Sequence, residues 1–144
     1  MKKLLLGAGI VMSLFLVNVG VYACEMHFSL ISSDGAIQNI LPGKSTSLSQ
    51  GESYILQVEF IQDHKRCVTP AEETVYLLLE EKWKSTKDYL PLQLVSQGEW
   101  ISGSSEAWTQ EINFEATQKG QWELEIVRDC PKGGYDEIII FQVQ

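Results

Sequence analysis

The feature that most constrains the fold is a regular alternation of side chains along residues 54–61. Tyr54, Leu56 and the other even positions are apolar, whereas Gln57 and Glu59 lie at the centre of the odd positions. Successive side chains of a β-strand point to opposite faces of a sheet, so this pattern predicts a strand with one face on a core and one in solvent. After residue 23, a period of two recurs more often than the helical period of 3.6. The sequence therefore predicts an all-β protein.

Other segments show strand patterns and are separated by turn-forming residues. They cover residues 26–32, 37–41, 74–79, 90–95, 108–116, 122–130 and 138–143. The 108–116 segment directs Ile112, Phe114 and Ala116 inward, and the parity of the next segment places Arg128 and Cys130 on its inward face. Pro91 in the 90–95 segment suits an edge strand. Seven to eight short strands of this kind predict an antiparallel β-sandwich.

The first 23 residues have the features of a secretory signal peptide. Lys2 and Lys3 precede an apolar run over residues 4–21, and the small residue Ala23 follows. The run is also long enough for an uncleaved membrane anchor, but its glycines and its small-residue exit favour cleavage. We therefore expect an exported protein with a signal peptide at 1–23 and a single domain at 24–144.

Two kinds of cleavage fit the sequence Val21-Tyr22-Ala23-Cys24. Val21 and Ala23 match the small-residue positions of an ordinary signal-peptidase site. The same residues are similar to a bacterial lipobox, in which Cys24 becomes the lipidated first residue, although Tyr22 is bulky for that motif. The expected location is thus the periplasm, the outer or cytoplasmic membrane as a lipoprotein, or the secreted fraction.

The chain has three cysteines, Cys24, Cys67 and Cys130. An odd number needs an explanation in an oxidising compartment, where thiols pair. If Cys24 carries lipid, Cys67 and Cys130 are left to pair with each other. If Cys24 is not modified, one thiol remains over.

Charge excludes two classes of partner. Without residues 1–23 the chain keeps nine basic and 19 acidic residues, a formal charge of −10. Nucleic acid requires a basic footprint, so it is not an expected partner. Attachment to anionic lipid through protein charge is excluded for the same reason, which leaves a lipid on Cys24 as the expected route to a membrane.

The stretch from Ala116 to Ile126, ATQKGQWELEI, resembles the entry to the penultimate strand of immunoglobulin-like domains in bacterial surface proteins. In those domains a glycine and an aromatic residue precede an alternating strand and a final hairpin. The resemblance implies an immunoglobulin-like β-sandwich of seven to eight strands for residues 24–144. It implies no particular activity, because this fold serves many functions.

The resemblance also implies which residues meet. In such sandwiches the loop after the second long strand and the last hairpin lie at one end, together with the start of the first strand. This geometry predicts a Cys67–Cys130 disulfide. The residues expected at that end are Cys24, His27, Asp63, His64, Cys67, Cys130, Tyr135 and Asp136. Trp100 and residues 80–88 are expected at the opposite end, facing away from a membrane if Cys24 is lipidated.

Catalytic and metal-binding motifs are weak in this sequence. Neither His27 nor His64 accompanies a recognisable nucleophile, so we do not expect an enzyme or a cofactor. Cys24-x-x-His27 and His64-x-x-Cys67 have ligand-like spacing and could hold zinc or copper. A simpler interpretation places both histidines on the surface and uses the cysteines for lipid and a disulfide.

Two tryptophans are candidate ligand-binding residues. Trp83 lies between Lys82 and Lys84, and Trp100 follows Glu99. These polar surroundings suggest exposure, and exposed aromatic faces can stack on sugars. Packing at a sheet edge is the favoured interpretation, and ligand binding is the alternative.

We therefore expect a non-catalytic, monomeric domain of the bacterial cell envelope that binds a partner protein. The 90–95 segment, as an edge strand, could recruit an extended segment of that partner. The alternatives are a periplasmic metal-binding or redox protein that uses Cys24, His27, His64 and Cys67, and a carbohydrate-binding module.

Overall fold

The computed structural model describes residues 24–62, 69–85, 89–103, 106–131 and 134–144. These residues form strands and one 3₁₀ turn, Ala71–Glu73, so the all-β prediction is confirmed. In chain order the strands are β1 (Cys24–Ser32), β2 (Ile37–Ile40), β3 (Ser45–Leu48), β4 (Ser53–Gln62), β5 (Val75–Leu78), β6 (Glu81–Lys82), β7 (Leu92–Gln97), β8 (Ile101–Ser102), β9 (Ala107–Ala116), β10 (Gly120–Arg128) and β11 (Tyr135–Val143). Within the described ranges, no helix has the length and apolar character needed to cross a membrane.

The strands form two sheets. Sheet A has the order β2-β1-β4-β9-β7, and β8 also pairs with β9. Sheet B has the order β3-β11-β10-β5-β6. Neighbouring strands are antiparallel except β3 and β11, which are parallel. The long central strands β4, β9, β10 and β11 are those with the clearest apolar alternation.

The core lies between the two sheets and follows the predicted parity. In β4, the side chains of Leu56 and Val58 are fully buried. In β9, Ile112, Phe114 and Ala116 are fully buried as expected. The Phe114 ring contacts Phe141 of β11 with 5.6 Å between centroids, which joins sheet A to sheet B. Burying such large apolar side chains contributes roughly 1.5–3 kcal/mol each to folding, so these alternating positions account for much of the stability.

Three short strands lie outside the predicted segments, and the described residues thus contain eleven strands rather than seven to eight. In β3, Thr46 and Leu48 are buried while Ser45 and Ser47 are exposed. The buried threonine obscures the alternation of apolar and polar residues in the sequence, because threonine counts as a polar residue. β6 and β8 have two residues each, too few to show any period.

The sheets have two ends, which we call the Cys24 end and the far end. At the Cys24 end, Cys24 pairs with Gln62 across β1 and β4. The far end contains the turns that join β1 to β2, β3 to β4 and β9 to β10. Two of these turns are tied together there, since the Gly51 amide donates to the Ala116 carbonyl at 2.7 Å and Gln50 Nε2 donates to the Thr117 carbonyl at 2.9 Å.

Candidate functional site

The predicted cluster at the Cys24 end lies partly outside the described residues. Asp63, His64 and Cys67 belong to the segment that the structure does not describe. The disulfide, the lipid on Cys24 and the metal set therefore remain predictions. Cys130 is described and is buried, with 6% of its surface exposed.

Arg128 organises the described part of this end. Its side chain is 1% exposed and its guanidinium carbon lies 3.9 Å from the centre of the Phe60 ring. Nη1 donates to the Pro70 carbonyl at 2.7 Å, and Nη2 donates to the Thr69 carbonyl. A buried guanidinium is stable only where carbonyls and an aromatic face replace water. Arg128 thus fixes the chain that enters the 3₁₀ turn.

Sequence reasoning placed Arg128 on the inward face but assigned it no role. The signal was present, because an arginine at an inward strand position must find acceptors inside the protein. The identity of those acceptors could not be read from the sequence. They are backbone carbonyls of residues 58 and 59 positions earlier in the chain.

His27 lies on the outer face of sheet A. Its Nε2 is 3.1 Å from Oε1 of Glu25, and about half of its side chain is exposed (51%). Glu59 is its cross-strand neighbour on β4. The geometry around His27 is that of a surface contact between an imidazole and a carboxylate.

Trp83 is packed inside the protein, as the sheet-edge interpretation predicts, and is not an exposed ligand-binding residue. Its side chain is 3% exposed, and its ring meets Phe114 edge-on at 5.5 Å. The indole Nε1 donates to the Leu92 carbonyl of β7 at 2.8 Å. Lys82 and Lys84 are exposed, as their polarity suggests, but the residue between them points the other way. Trp83 therefore joins sheet B to the edge of sheet A and is unavailable for stacking on a ligand.

Trp100 is partly buried against the core and lines an open groove of about 460 Å³. Glu72 of the 3₁₀ turn and Gln110 of β9 line the same groove. Gln110 is held in place, since it accepts from the Tyr76 hydroxyl at 2.8 Å and donates to the Gly98 carbonyl at 2.7 Å. Since the 3₁₀ turn is at the Cys24 end, the expected position of Trp100 at the opposite end is wrong.

An apolar row crosses the outer face of sheet A, where polar residues are usual for a half-exposed sheet. Ile37 of β2 pairs with Ile31 of β1, and Ile31 pairs with Ile55 of β4. Val95 lies at a β-bulge of β7 and lines one groove of about 390 Å³ with Ile31 and Ile55. Ile37 and Val95 are 70% and 60% exposed. We call Ile31, Ile37, Ile55 and Val95 the isoleucine row.

Sequence reasoning missed this row. Each member is an ordinary strand residue, and only the register of three strands brings the isoleucines into line. The outward parity of Ile31 and Ile55 was the available signal.

Metal binding finds no support in the described part of the chain. Among residues 24–62, 69–85, 89–103, 106–131 and 134–144, no group of three His, Cys, Asp or Glu side chains could hold a metal ion. Comparison of this chain with family models, with curated proteins and with solved structures finds no match.

Proposed function

We propose that this chain is an exported, non-catalytic domain of the cell envelope that binds a partner protein. Residues 1–23 serve as its signal peptide and residues 24–144 form one immunoglobulin-like sandwich. The isoleucine row is the observation that carries the proposal. Exposed apolar side chains scattered singly are normal, but a contiguous row across three strands is typical of an interaction surface.

The strand order supports the immunoglobulin-like part of the proposal. Strands β1, β4, β9 and β7 are adjacent in that order, as A, B, E and D are in immunoglobulin domains. Strands β11, β10 and β5 correspond likewise to G, F and C. The short β6 extends the second sheet at the position of an additional C′ strand. This correspondence concerns architecture and carries no activity with it.

The location of the isoleucine row supports a protein partner. The row crosses the outer face of sheet A near the far end, beside the β1–β2 turn, and the adjoining groove is open and mainly apolar. Interface cores are depleted in charge and enriched in apolar side chains, with polar residues around them. Ser32, Ser33 and Asn113 border the groove in this way. An open apolar surface with a polar border suits a folded protein partner.

Site-specific photo-crosslinking in the source cells tests this function. A photoreactive amino acid placed at Ile37 or Val95 is expected to give one discrete adduct, and Ile55→Lys is expected to remove it without unfolding the domain. The matched control carries the same amino acid at Asp136, an exposed position on β11 of sheet B. The same adduct from Asp136, or no adduct from Ile37 and Val95, would overturn the proposal.

A further inference from the structure

A second surface lies on the outer face of sheet B and extends from the middle of the sheet toward the far end. It is a groove of about 320 Å³ beside the turn between β5 and β6. Its apolar lining consists of Leu77, Leu79, Trp122 and Ile138. Its polar lining consists of Gln121, Glu80, Glu123 and Glu125. We call this surface the acidic groove.

The turn that borders the groove has an unfavourable backbone for its residues. Leu78 pairs with Glu81, so Leu79 and Glu80 form a two-residue hairpin loop. Their φ angles are +54° and +64°, as in a type I′ turn. Asn and Gly are the usual residues there, because a Cβ atom makes the left-handed conformation costly. Even so, Leu79 keeps 54% of its surface exposed. Strained residues of this kind cluster at binding sites.

Trp122 forms a fixed wall of the groove. It lies on the inward parity of β10 but is only partly buried, at the margin of the core. Its Nε1 donates to the Gln118 carbonyl at 2.9 Å, and Gln118 Nε2 donates to the Tyr89 carbonyl at 2.8 Å. A side chain held in this way loses little conformational freedom when a ligand binds.

The charged side chains that line the groove are all acidic. Glu125 lies between Leu77 and Ile138 in one row across three strands, and Glu123 is its neighbour along β10. Within the described part of the chain, Glu80, Glu123 and Glu125 form no salt bridge with a lysine, arginine or histidine. Lys82 is on β6, next to Leu77 and outside the lining of the groove. Three carboxylates around an apolar floor complement a ligand with cations beside an apolar face.

We propose that the acidic groove binds a cationic amphipathic polypeptide segment of a partner. The apolar face of the segment packs on Leu77, Leu79, Trp122 and Ile138. Its lysine or arginine side chains reach Glu80, Glu123 and Glu125. Anionic lipid is repelled by the same carboxylates. A neutral sugar would leave the leucines and the isoleucine without apolar partners.

The binding test uses a labelled synthetic peptide of leucine and lysine with one apolar face. Fluorescence anisotropy with the purified protein is expected to show binding that weakens with salt, because exposed charge pairs are screened. Changing Glu123 and Glu125 together to Gln is expected to weaken binding about tenfold. The matched control changes Glu59 and Glu111 of sheet A to Gln, which alters the net charge equally. It is expected to change the affinity less than about twofold.

A second variant separates binding from folding. Changing Leu79→Asn together with Glu80→Gly installs the residues that a type I′ turn favours and removes two side chains from the groove. Peptide binding is expected to fall at least about tenfold while the melting temperature rises. If this variant loses peptide binding while being more stable than the natural protein, the loss cannot come from unfolding.

Several outcomes would overturn the inference. If the sheet A control weakens peptide binding as much as the Glu123 and Glu125 variant does, the peptide responds only to the net charge of the protein. Equal binding of a lysine–serine peptide, or of a peptide with glutamate in place of lysine, would show that the apolar face or the cations are irrelevant. Three other results would each assign another occupant to the acidic groove. These are binding of neutral oligosaccharides that depends on Trp122, binding to lipid vesicles, and self-association that is lost in the groove variants. The isoleucine row is on the other sheet, so these results leave its crosslinking test unaffected.

Discussion

Arg128 shows how one buried residue can fix the chain that enters the 3₁₀ turn. Its strand directs it into the core, where an unpaired charge would destabilise the fold by several kcal/mol. The carbonyls of Thr69 and Pro70 and the face of Phe60 replace the lost water. In return, the chain before the 3₁₀ turn is held against β10. The buried charge therefore specifies the position of a loop more than it adds to stability.

Replacing Arg128 by Met is expected to destabilise the protein by about 3 kcal/mol, because two buried carbonyls lose their donors at about 1–3 kcal/mol each. The measurement is the free energy of unfolding from urea denaturation. Arg128→Lys keeps the charge but not the two-nitrogen geometry, and is expected to recover only part of the loss. A cost below about 0.5 kcal/mol for Arg128→Met would contradict the role given to the guanidinium.

Asp34 makes the β1–β2 turn sensitive to acid. Its Oδ1 accepts from Ser32 Oγ and from the Ala36 amide, and these hydrogen bonds lower the pKa of the carboxyl below its ordinary value of 3.8. A carboxyl with a lowered folded-state pKa stabilises the fold fully above its unfolded-state pKa and loses this effect as pH falls through the folded-state pKa.

Thermal melts at a series of pH values test this effect. The melting temperature of Asp34→Ala is expected to lie below that of the natural protein at neutral pH, and the difference is expected to shrink as pH falls below about 4. Ser32→Ala, which removes the main donor, is expected to act in the same direction. A difference that stays constant down to acid pH would contradict the argument.

At the scale of single residues, the sequence predicted which way a side chain points better than it predicted which residues that side chain contacts. The inward parity of Ile112, Phe114 and Ala116 was correct because periodicity is a local property. The lysines beside Trp83 suggested exposure, but packing at a sheet edge was the favoured interpretation, and the side chain is buried. What a side chain contacts depends on other strands, and a single sequence does not reveal those.

The same limit applies to the strands. β4, β9 and β10 are long enough to show the period of two and were predicted to within a few residues. β3 is stabilised by its parallel partner β11 at the end of the chain, which no local pattern indicates. The two surfaces proposed for binding depend on this register as well. Ile37, Ile31 and Ile55 become neighbours only when β2, β1 and β4 are paired.

The edge of β7 was correctly predicted but is less open than the sequence suggests. β7 pairs only with β9 among the described strands. Leu92 and Leu94 are buried, and the Leu92 carbonyl already accepts from the Trp83 indole. Proteins protect edge strands against unwanted pairing by covering them in this way. Addition of a partner strand at β7 is therefore a weaker mechanism than contact with the faces of the sheets.

The two loop residues of the β5–β6 hairpin disfavour the backbone conformation that the loop adopts. Left-handed φ angles cost roughly 1–2 kcal/mol for a residue with a side chain. The Leu79→Asn and Glu80→Gly pair is thus expected to stabilise the protein by about 1–2 kcal/mol and to raise the melting temperature by about 4–8 °C. Scanning calorimetry measures both quantities.

Leu79→Ala is the control for this prediction, because it removes the same exposed side chain and leaves a Cβ atom in the left-handed conformation. It is expected to give no stabilisation. If Leu79→Ala stabilises as much as the Asn–Gly pair, the effect comes from exposed apolar surface and not from the backbone of the turn.

The whole molecule presents two different surfaces on opposite sheets. The isoleucine row on sheet A is apolar with a polar border, whereas the acidic groove on sheet B is apolar with a charged border. The two proposals together would place this acidic domain between two partners, or between two parts of one partner. Sequence composition gave the acidic character, but the segregation of the two surfaces follows only from the sandwich.

The Cys67–Cys130 disulfide is a prediction at the same scale, since it would close a loop of about 62 residues across both sheets. Cys67 is two residues before Thr69, and Cys130 is two residues after Arg128, whose guanidinium donates to the Thr69 carbonyl. Such a loop stabilises by roughly 4 kcal/mol in the chain-entropy treatment.

A thiol count on the denatured, unreduced protein decides between the possible states of the three cysteines. A bridge is expected to leave at most one reactive thiol, and none if Cys24 carries lipid, which mass spectrometry of the mature N-terminus would show directly. Reduction, or Cys67→Ala with Cys130→Ala, is expected to lower the free energy of unfolding by about 2–5 kcal/mol. Three reactive thiols before reduction would rule the bridge out and would leave Arg128 as the main attachment between the 3₁₀ turn and β10.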